Sequence, residues 1–335
     1  MTCTHAFLTI VLILDQSWVM PSRTTSRRAL AAAALVALAG AGGCTGAADA
    51  DPDRVSVVTA FYPLQFVTER VGGDAVRVTS LAKPGAEPHD LELNPQQVAQ
   101  ITDAKVIVYL KGFQPAVDEA VAQEGGDRTF DVSTATPLLT ASAGGHDHEG
   151  EAGHAEESGD EHAGPDPHVW LDPTRLATIA DKVAERLGAA DPAHAADYTA
   201  RAKALRTELE TLDREYAQSL KNCQRREIVT SHSAFGYLAE RYQLEQIGIT
   251  GLSPEDEPSA QRLADVVTEA RQHQATTIFF ETLASPKVAE TIAREVGAKS
   301  AVLDPIEGLQ PGTTGDYLSV MRTNLTALTS ALGCS

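Results

Sequence analysis

Two series of alternating strand-like and helix-like stretches, separated by one long helical stripe, narrow the fold of this chain more than any other feature. In the first series, residues 55–61, 76–81 and 106–110 are patterned as strands. Residues 63–71 and the stretches after Asn94-Pro95 and Gln114-Pro115 are patterned as helices entered through proline, whose fixed φ suits a first helical turn. In the second series, residues 227–230, 246–250, 276–280 and 300–303 read as strands, separated by helical stretches at 234–242, 259–273 and 286–296. Strands that alternate with helices imply parallel sheets, so each series predicts one βα lobe. Between them Asp191-Pro192 predicts a helix start, with a capping carboxylate and proline at the first position. Tyr198, Ala202, Leu205, Leu209, Leu212, Tyr216 and Leu220 then recur at steps of three and four and draw one apolar stripe. A helix approaching roughly thirty residues would run about 40 Å, enough to cross a lobe. Its content of Ala, Leu, Glu and Arg makes it a stiff spine, unlike a linker rich in Gly, Ser or Pro. The expected fold class is α/β, with two βα lobes built on parallel sheets and joined by one long rigid helix.

Composition bounds the function. The 335 residues correspond to about two domains at roughly 150 residues each. A formal net charge of -19 argues against nucleic acid, whose phosphates are neutralised by Lys and Arg. The four cysteines have no Cys-x-x-Cys spacing, so no thiolate zinc site is expected. From Met20, the expected true start, a basic stretch (Arg23, Arg27, Arg28) precedes a short apolar run at 29–39 and small residues that lead to Cys44. That order is a secretory signal, and its apolar run is too short to span a bilayer. A signal ending on Cys resembles that of a bacterial lipoprotein, in which Cys44 would be lipidated, although Ala41 stands where such signals usually carry Leu. Ser26-Arg27-Arg28 also has a loose twin-Arg pattern. The expected organisation is a signal peptide at 1–43, a tether at 44–53, an N-terminal lobe at 54–172, connecting helices at 173–221 and a C-terminal lobe at 222–335.

The candidate site begins with Asp166-Pro167-His168-Val169-Trp170-Leu171-Asp172-Pro173, where one imidazole lies between two prolines that limit the backbone. His168 is read as a metal ligand at the hinge between the lobes. Three further candidates come from both halves: His89 in a loop with Gly85 and Pro88, His232 just past the strand at 227–230, and Glu307 just past the strand near 301–303. Open α/β sheets bind ligands beyond the carboxyl ends of their strands, where these residues fall. Three imidazole nitrogens and a carboxylate match the tetrahedral donor set of zinc. The fourth ligand is open between Glu307, the nearby Asp304 and water. Asp304 is expected to orient a ligand histidine instead, and Asp90 either does the same or caps the helix near Asn94. Glu281 reads equally as a neighbour of the site or as a loop carboxylate.

On these residues the chain resembles the metal-binding lipoproteins of bacterial ABC importers, specifically the zinc-binding members. The similarity lies in Pro88-His89-Asp90, in Asp166-Pro167-His168-Val169-Trp170-Leu171, in Thr230-Ser231-His232-Ser233-Ala234-Phe235-Gly236-Tyr237 and in Asp304-Pro305-Ile306-Glu307, and it extends over the whole mature chain. The resemblance implies two βα lobes joined by a long helix, with Zn2+ held between them by His89, His168, His232 and Glu307. It implies capture outside the plasma membrane, delivery to an ABC permease and its ATPase for high-affinity zinc uptake, a monomer, and a lipid anchor on the outer face of that membrane. Manganese members resemble this plan but place carboxylates at the third and fourth ligand positions. His232 at the third position favours zinc, the softer-donor ion, and leaves a manganese or other divalent-metal carrier of the same class as the alternative.

A hydrolase is the reading from a different class, because zinc held by histidines also cleaves amides and esters. No His-Glu-x-x-His helix is present, and Glu307 is expected to close the position that catalysis keeps open, so no enzyme is expected. Residues 141–164, with His146, His148, His154 and His162, carry no apolar residue larger than Ala and no periodicity, and are expected to be a disordered loop that binds metal weakly. Of the cysteines, Cys3 lies in the removed segment and Cys44 serves the anchor. Cys223 and Cys334 remain, at the two ends of the second lobe, as either a disulfide or two buried thiols.

Overall fold

The computed structural model describes residues 54–140 and 164–335. Cys3, Cys44, His146, His148, His154 and His162 lie outside the described residues, as do the expected signal and tether. The first lobe runs β1 (Val55–Thr59), α1 (Tyr62–Gly72), β2 (Val76–Ser80), α2 (Pro95–Asp103), β3 (Val106–Tyr109), α3 (Pro115–Glu124) and β4 (Thr129–Asp131). Its four strands are parallel, in the order β2-β1-β3-β4. The fourth strand has no counterpart in the sequence reading, because three half-buried residues are too few to display alternation.

Two helices follow, α4 (Pro173–Ala190) and α5 (Ala195–Ser219). The connection is therefore a helical pair. At 25 residues, α5 spans about 37 Å. Every member of the anticipated stripe from Tyr198 to Leu220 is buried. Asp191-Pro192 opens a short 3-10 turn, Pro192–His194, and the cap is not of the expected kind. The Asp191 carboxylate accepts from the Tyr198 hydroxyl at 2.7 Å and lies 2.6 Å from Nδ1 of His194, so side chains of the first turns hold it in place of the helix N–H groups.

The second lobe repeats the plan with β5 (Glu227–Thr230), α6 (Gly236–Tyr242), β6 (Glu245–Gly248), α7 (Ala260–Gln272), β7 (Thr277–Phe280), α8 (Lys287–Val296) and β8 (Lys299–Val302), closed by α9 (Tyr317–Leu332). Its strands are parallel in the order β6-β5-β7-β8. In both sheets the chain moves outward from the first strand, then crosses to that strand's other side. The reversal opens a crevice between β1 and β3 and another between β5 and β7, at the carboxyl ends where such sheets bind ligands.

Helix entries are set locally. Asn94 and Gln97 form a reciprocal capping box at α2, and Asp316 with Ser319 does the same at α9. One apolar cluster runs from the first sheet through Leu176, Leu187, Leu205 and Leu209 to Tyr237, Tyr317 and Leu328 of the second lobe. A smaller cluster of Val229, Ile247, Val266, Ile278 and Ile292 fills the far face of the second sheet. Continuous packing through the helical pair ties the lobes together, which favours small relative movements over wide closure. A disulfide joins Cys223 to Cys334, beside an antiparallel bridge between the same residues, so the second lobe is clasped at its two ends. No helix among the described residues is long and apolar enough to cross a membrane.

Candidate metal centre

Four loops at the carboxyl ends of the two sheets deliver His89, His168, His232 and Glu307 to one point, where a ligand atom from each lies within 4.8 Å of the others. His89 comes from the loop after β2, and His168 from the segment between β4 and α4. His232 follows β5, and Glu307 follows β8. Glu307 Oε1 is the common neighbour. It lies 3.2 Å from Nε2 of His89, 3.0 Å from Nε2 of His168 and 3.2 Å from Nε2 of His232. Bonds of about 2.0–2.1 Å to a tetrahedral zinc place donors roughly 3.3 Å apart, so these spacings suit that ion with little movement. Glu307 Oε2 is buried without a hydrogen-bond partner, a second oxygen free to face a cation.

Two of the imidazoles are held from behind by carboxylates. Asp166 Oδ1 lies 2.8 Å from Nδ1 of His168 and also accepts its backbone N–H at 2.9 Å. Glu281 Oε1 lies 2.8 Å from Nδ1 of His232 and accepts the Ser231 hydroxyl at 2.6 Å. A proton on each Nδ1 satisfies these contacts and turns Nε2 toward the centre, the arrangement that fixes a ligand tautomer. His232 lies just past β5 and Glu281 just past β7, the two strands that flank the crevice, so the sheet itself sets their pairing. His89 lacks such a carboxylate at its ring. It packs edge-on against Phe113 with centroids 4.6 Å apart, and its side chain is 10% exposed, whereas the other three ligand candidates are sealed.

Charge in the site is tightly coupled. Burial pulls the His168 and His232 pKa values down, but the facing carboxylates outweigh it. Asp166 and Glu307 leave His168 raised, and Glu281 with Glu307 lifts His232 to about 10. For Glu307 burial works upward, and hydrogen bonds to the three imidazoles overcome it and hold the carboxyl well below its usual range. Glu87 goes the other way. Burial and then the charge of Glu307 push it up to about 8.

Several supporting residues differ from the sequence reading. Asp304 touches no histidine. Its Oδ1 accepts the Ile306 N–H at 2.7 Å and its Oδ2 accepts the Thr282 hydroxyl at 2.8 Å, so it shapes the loop that carries Glu307. Asp90 is exposed, and Asn94 with Gln97 caps α2 without it. Asp166 and Glu87 are supports that the sequence reading does not name, although a local signal marks both: an acid, a proline and then the residue to be fixed. Proline sets φ at the middle position, and the acid folds back to take the N–H two residues on. Glu87-Pro88-His89 does this at 3.0 Å, Asp166-Pro167-His168 at 2.9 Å and Asp304-Pro305-Ile306 at 2.7 Å.

Comparison with known proteins follows the same line. A Bacillus subtilis (strain 168) protein named "High-affinity zinc uptake system protein ZnuA" is 36% identical over 306 residues, which cover 89% of this chain and 94% of that protein. The "Zinc-binding lipoprotein AdcA" of Streptococcus pneumoniae (strain ATCC BAA-255 / R6) is 35% identical over 288 residues, 85% of this chain but 57% of that longer protein. The crystal structure of the Zn(II)-bound ZnuA-like domain of Streptococcus pneumoniae AdcA superposes with a TM-score of 0.68 at 33% identity, covering 83% of this chain and 99% of that one. The family described as "ZnuA: Zinc-uptake complex component A periplasmic" matches residues 57–331, and the chain belongs to it.

Proposed function

We propose that this chain captures one zinc ion outside the plasma membrane and hands it to the permease of an ATP-driven importer, with His89, His168, His232 and Glu307 as the ligands. The carrying observation is the convergence of three Nε2 atoms and one carboxylate oxygen from both lobes at a single buried point. Imidazole-rich donors suit zinc, whereas manganese is better served by carboxylates and water. Zinc is also what the similar proteins are named for, and the similar pneumococcal domain holds Zn(II). Capture is favoured over hydrolysis because Glu307 occupies the fourth position, which a catalytic zinc leaves to water.

In this reading the cargo displaces protons. Without it the imidazoles and Glu307 hold one another through shared protons; with it, each Nε2 turns its lone pair to the ion and Asp166 and Glu281 keep the Nδ1 protons. His89, the one partly exposed candidate, lies on the side from which zinc enters and leaves. Residues 1–43 serve as the export signal and 44–53 as the tether. Cys44 carries the lipid that holds a monomeric protein on the outer face of the membrane, a reading supported by the similar pneumococcal lipoprotein. His146, His148, His154 and His162 serve as weak auxiliary zinc ligands.

Equilibrium dialysis against zinc with a competing chelator, run beside an esterase and peptidase assay, tests the reading. One tightly held zinc per chain without turnover is expected. Zinc-dependent turnover, or no tight zinc, would contradict it.

A further inference from the structure

Three non-glycine residues among those described have positive φ, and they are not alike. Gln243 and Gln274 end helices, where a left-handed residue is an ordinary stop. Ile306 has φ 59° in a loop, and a β-branched side chain is a genuine outlier in that region. It precedes Glu307, and its own side chain is completely buried. Backbone strain of this kind persists only where the surroundings over-determine it.

The surroundings here are specific. On one side, the Ile306 N–H is tied to Asp304 Oδ1 at 2.7 Å. Asp304 is itself fixed through its backbone: its N–H donates to Asn324 Oδ1 at 3.0 Å, and its carbonyl accepts from Asn324 Nδ2 at 2.7 Å. Between those contacts and Ile306, the Pro305 carbonyl accepts the Trp170 indole N–H at 2.7 Å. Trp170 is 1% exposed, and its own carbonyl is anchored by the Tyr317 hydroxyl at 2.6 Å. The indole belongs to the segment that carries His168, two residues away. One hydrogen bond thus links the loops of two ligand candidates from different lobes.

We propose that Trp170 and Asp304 are positioning residues of the metal centre, which hold Ile306 in its left-handed conformation and so keep the Glu307 carboxylate on the three imidazoles. If either restraint is removed, Ile306 relaxes to negative φ and Glu307 turns away from the centre. This inference rests on the ligand assignment above and deepens it. It makes the fourth ligand conditional on a contact between the lobes, so that separating Trp170 from Pro305 would loosen the zinc at the carboxylate first.

The test is a double-mutant cycle on the full chain. Trp170→Phe keeps an aromatic ring and removes the N–H donor, and Asp304→Ala releases Ile306 from its other side and serves if the first variant does not fold. Each is made alone and together with Glu307→Ala, and zinc affinity is read by chelator competition. In the otherwise wild-type chain each should weaken zinc about tenfold, equivalent to about 1.4 kcal/mol. In the Glu307→Ala background the same change should alter affinity less than about twofold, because the residue through which it acts is gone. Cobalt(II) in place of zinc adds a spectroscopic reading: the visible bands of Trp170→Phe should shift toward those of Glu307→Ala. Equal weakening in both backgrounds, or a cobalt spectrum unchanged from wild type, would overturn the proposal. The wild-type and Glu307→Ala proteins check the underlying assignment separately. If the wild type held no tight zinc, or Glu307→Ala bound as well as wild type, the ligand assignment would fail and take this inference with it.

Discussion

Replacing Glu281 tests how far the site depends on support behind its ligands. Glu281 Oε1 lies 2.8 Å from Nδ1 of His232, and the residue is 3% exposed, so water has little room to take over its role. The carboxylate fixes the tautomer that presents Nε2 and strengthens the ring as a donor. Loss of such a partner costs roughly 10- to 100-fold in metal affinity, or about 1.4–2.7 kcal/mol. Glu281→Gln keeps an acceptor of the same shape without the charge and should weaken zinc about tenfold. Glu281→Ala leaves the imidazole N–H without a partner in a dry site and should approach the roughly hundredfold end. Competition with a chromophoric chelator at neutral pH reads both values, and melting of the metal-free proteins confirms that they fold. A folded Glu281→Ala that binds zinc within about twofold of wild type would refute the view that Glu281 holds His232 in place.

The remaining predictions concern the ligands, protons, the His-rich segment and the disulfide. His89→Ala, His168→Ala and His232→Ala should each weaken zinc more than the roughly hundredfold limit of a supporting residue; unchanged affinity in any two would remove the assignment. The raised His232 pKa, about 10 against an ordinary 6.5, stabilises the metal-free fold fully below about pH 6.5, and this contribution is lost as pH rises through about 10. The metal-free melting temperature of wild type should therefore drop over that range more than that of His232→Ala, and equal drops would contradict the coupling. Glu307, with a lowered pKa, acts in the opposite sense: its contribution is present above about pH 4.5 and is lost as pH falls through its folded value. Because His168 and His232 hold protons more tightly than usual, zinc binding at neutral pH should release protons, which calorimetry in buffers of different ionisation enthalpy measures directly. Removing residues 144–164 should spare the tight site and delete weaker ones, since Thr140 already pairs with Pro165 on the far side of the deleted segment; loss of the tight site would contradict this. The disulfide spans 111 residues, and the chain-entropy model gives about 4–5 kcal/mol for such a loop, so Cys223→Ala with Cys334→Ala should lower unfolding free energy by about 2–5 kcal/mol in denaturant melts.

Much of this architecture was legible in the residues, for identifiable reasons. Strand and helix patterns located β5 and placed the other long elements within a few residues, because apolar periodicity reports burial directly. The stripe from Tyr198 to Leu220 was legible for the same reason. Strand β4 was not, because only three residues pair with β3. The four ligand candidates were marked by their motifs and by their places beyond strand ends. The residues behind them were harder, because a supporting contact depends on geometry between loops. Glu281 reaches His232 across 49 residues, and only the order β5-β7 in the sheet makes them neighbours. Asp166 and Glu87 were within reach, since each is an acid two residues before a candidate ligand histidine with proline between. For Asp304, proximity to Glu307 in sequence suggests a histidine partner, whereas the acid-proline turn directs it to Ile306.

The central claim is that one zinc ion is shared by both lobes, and anomalous diffraction at the zinc edge from crystals of the zinc-loaded protein tests it most directly. The account predicts a single strong peak bonded at about 2.0–2.2 Å to Nε2 of His89, His168 and His232 and to the Glu307 carboxylate, with Asp166 and Glu281 still behind the two buried rings. A peak that omits one of those histidines, or zinc found only on the His-rich segment, would contradict it.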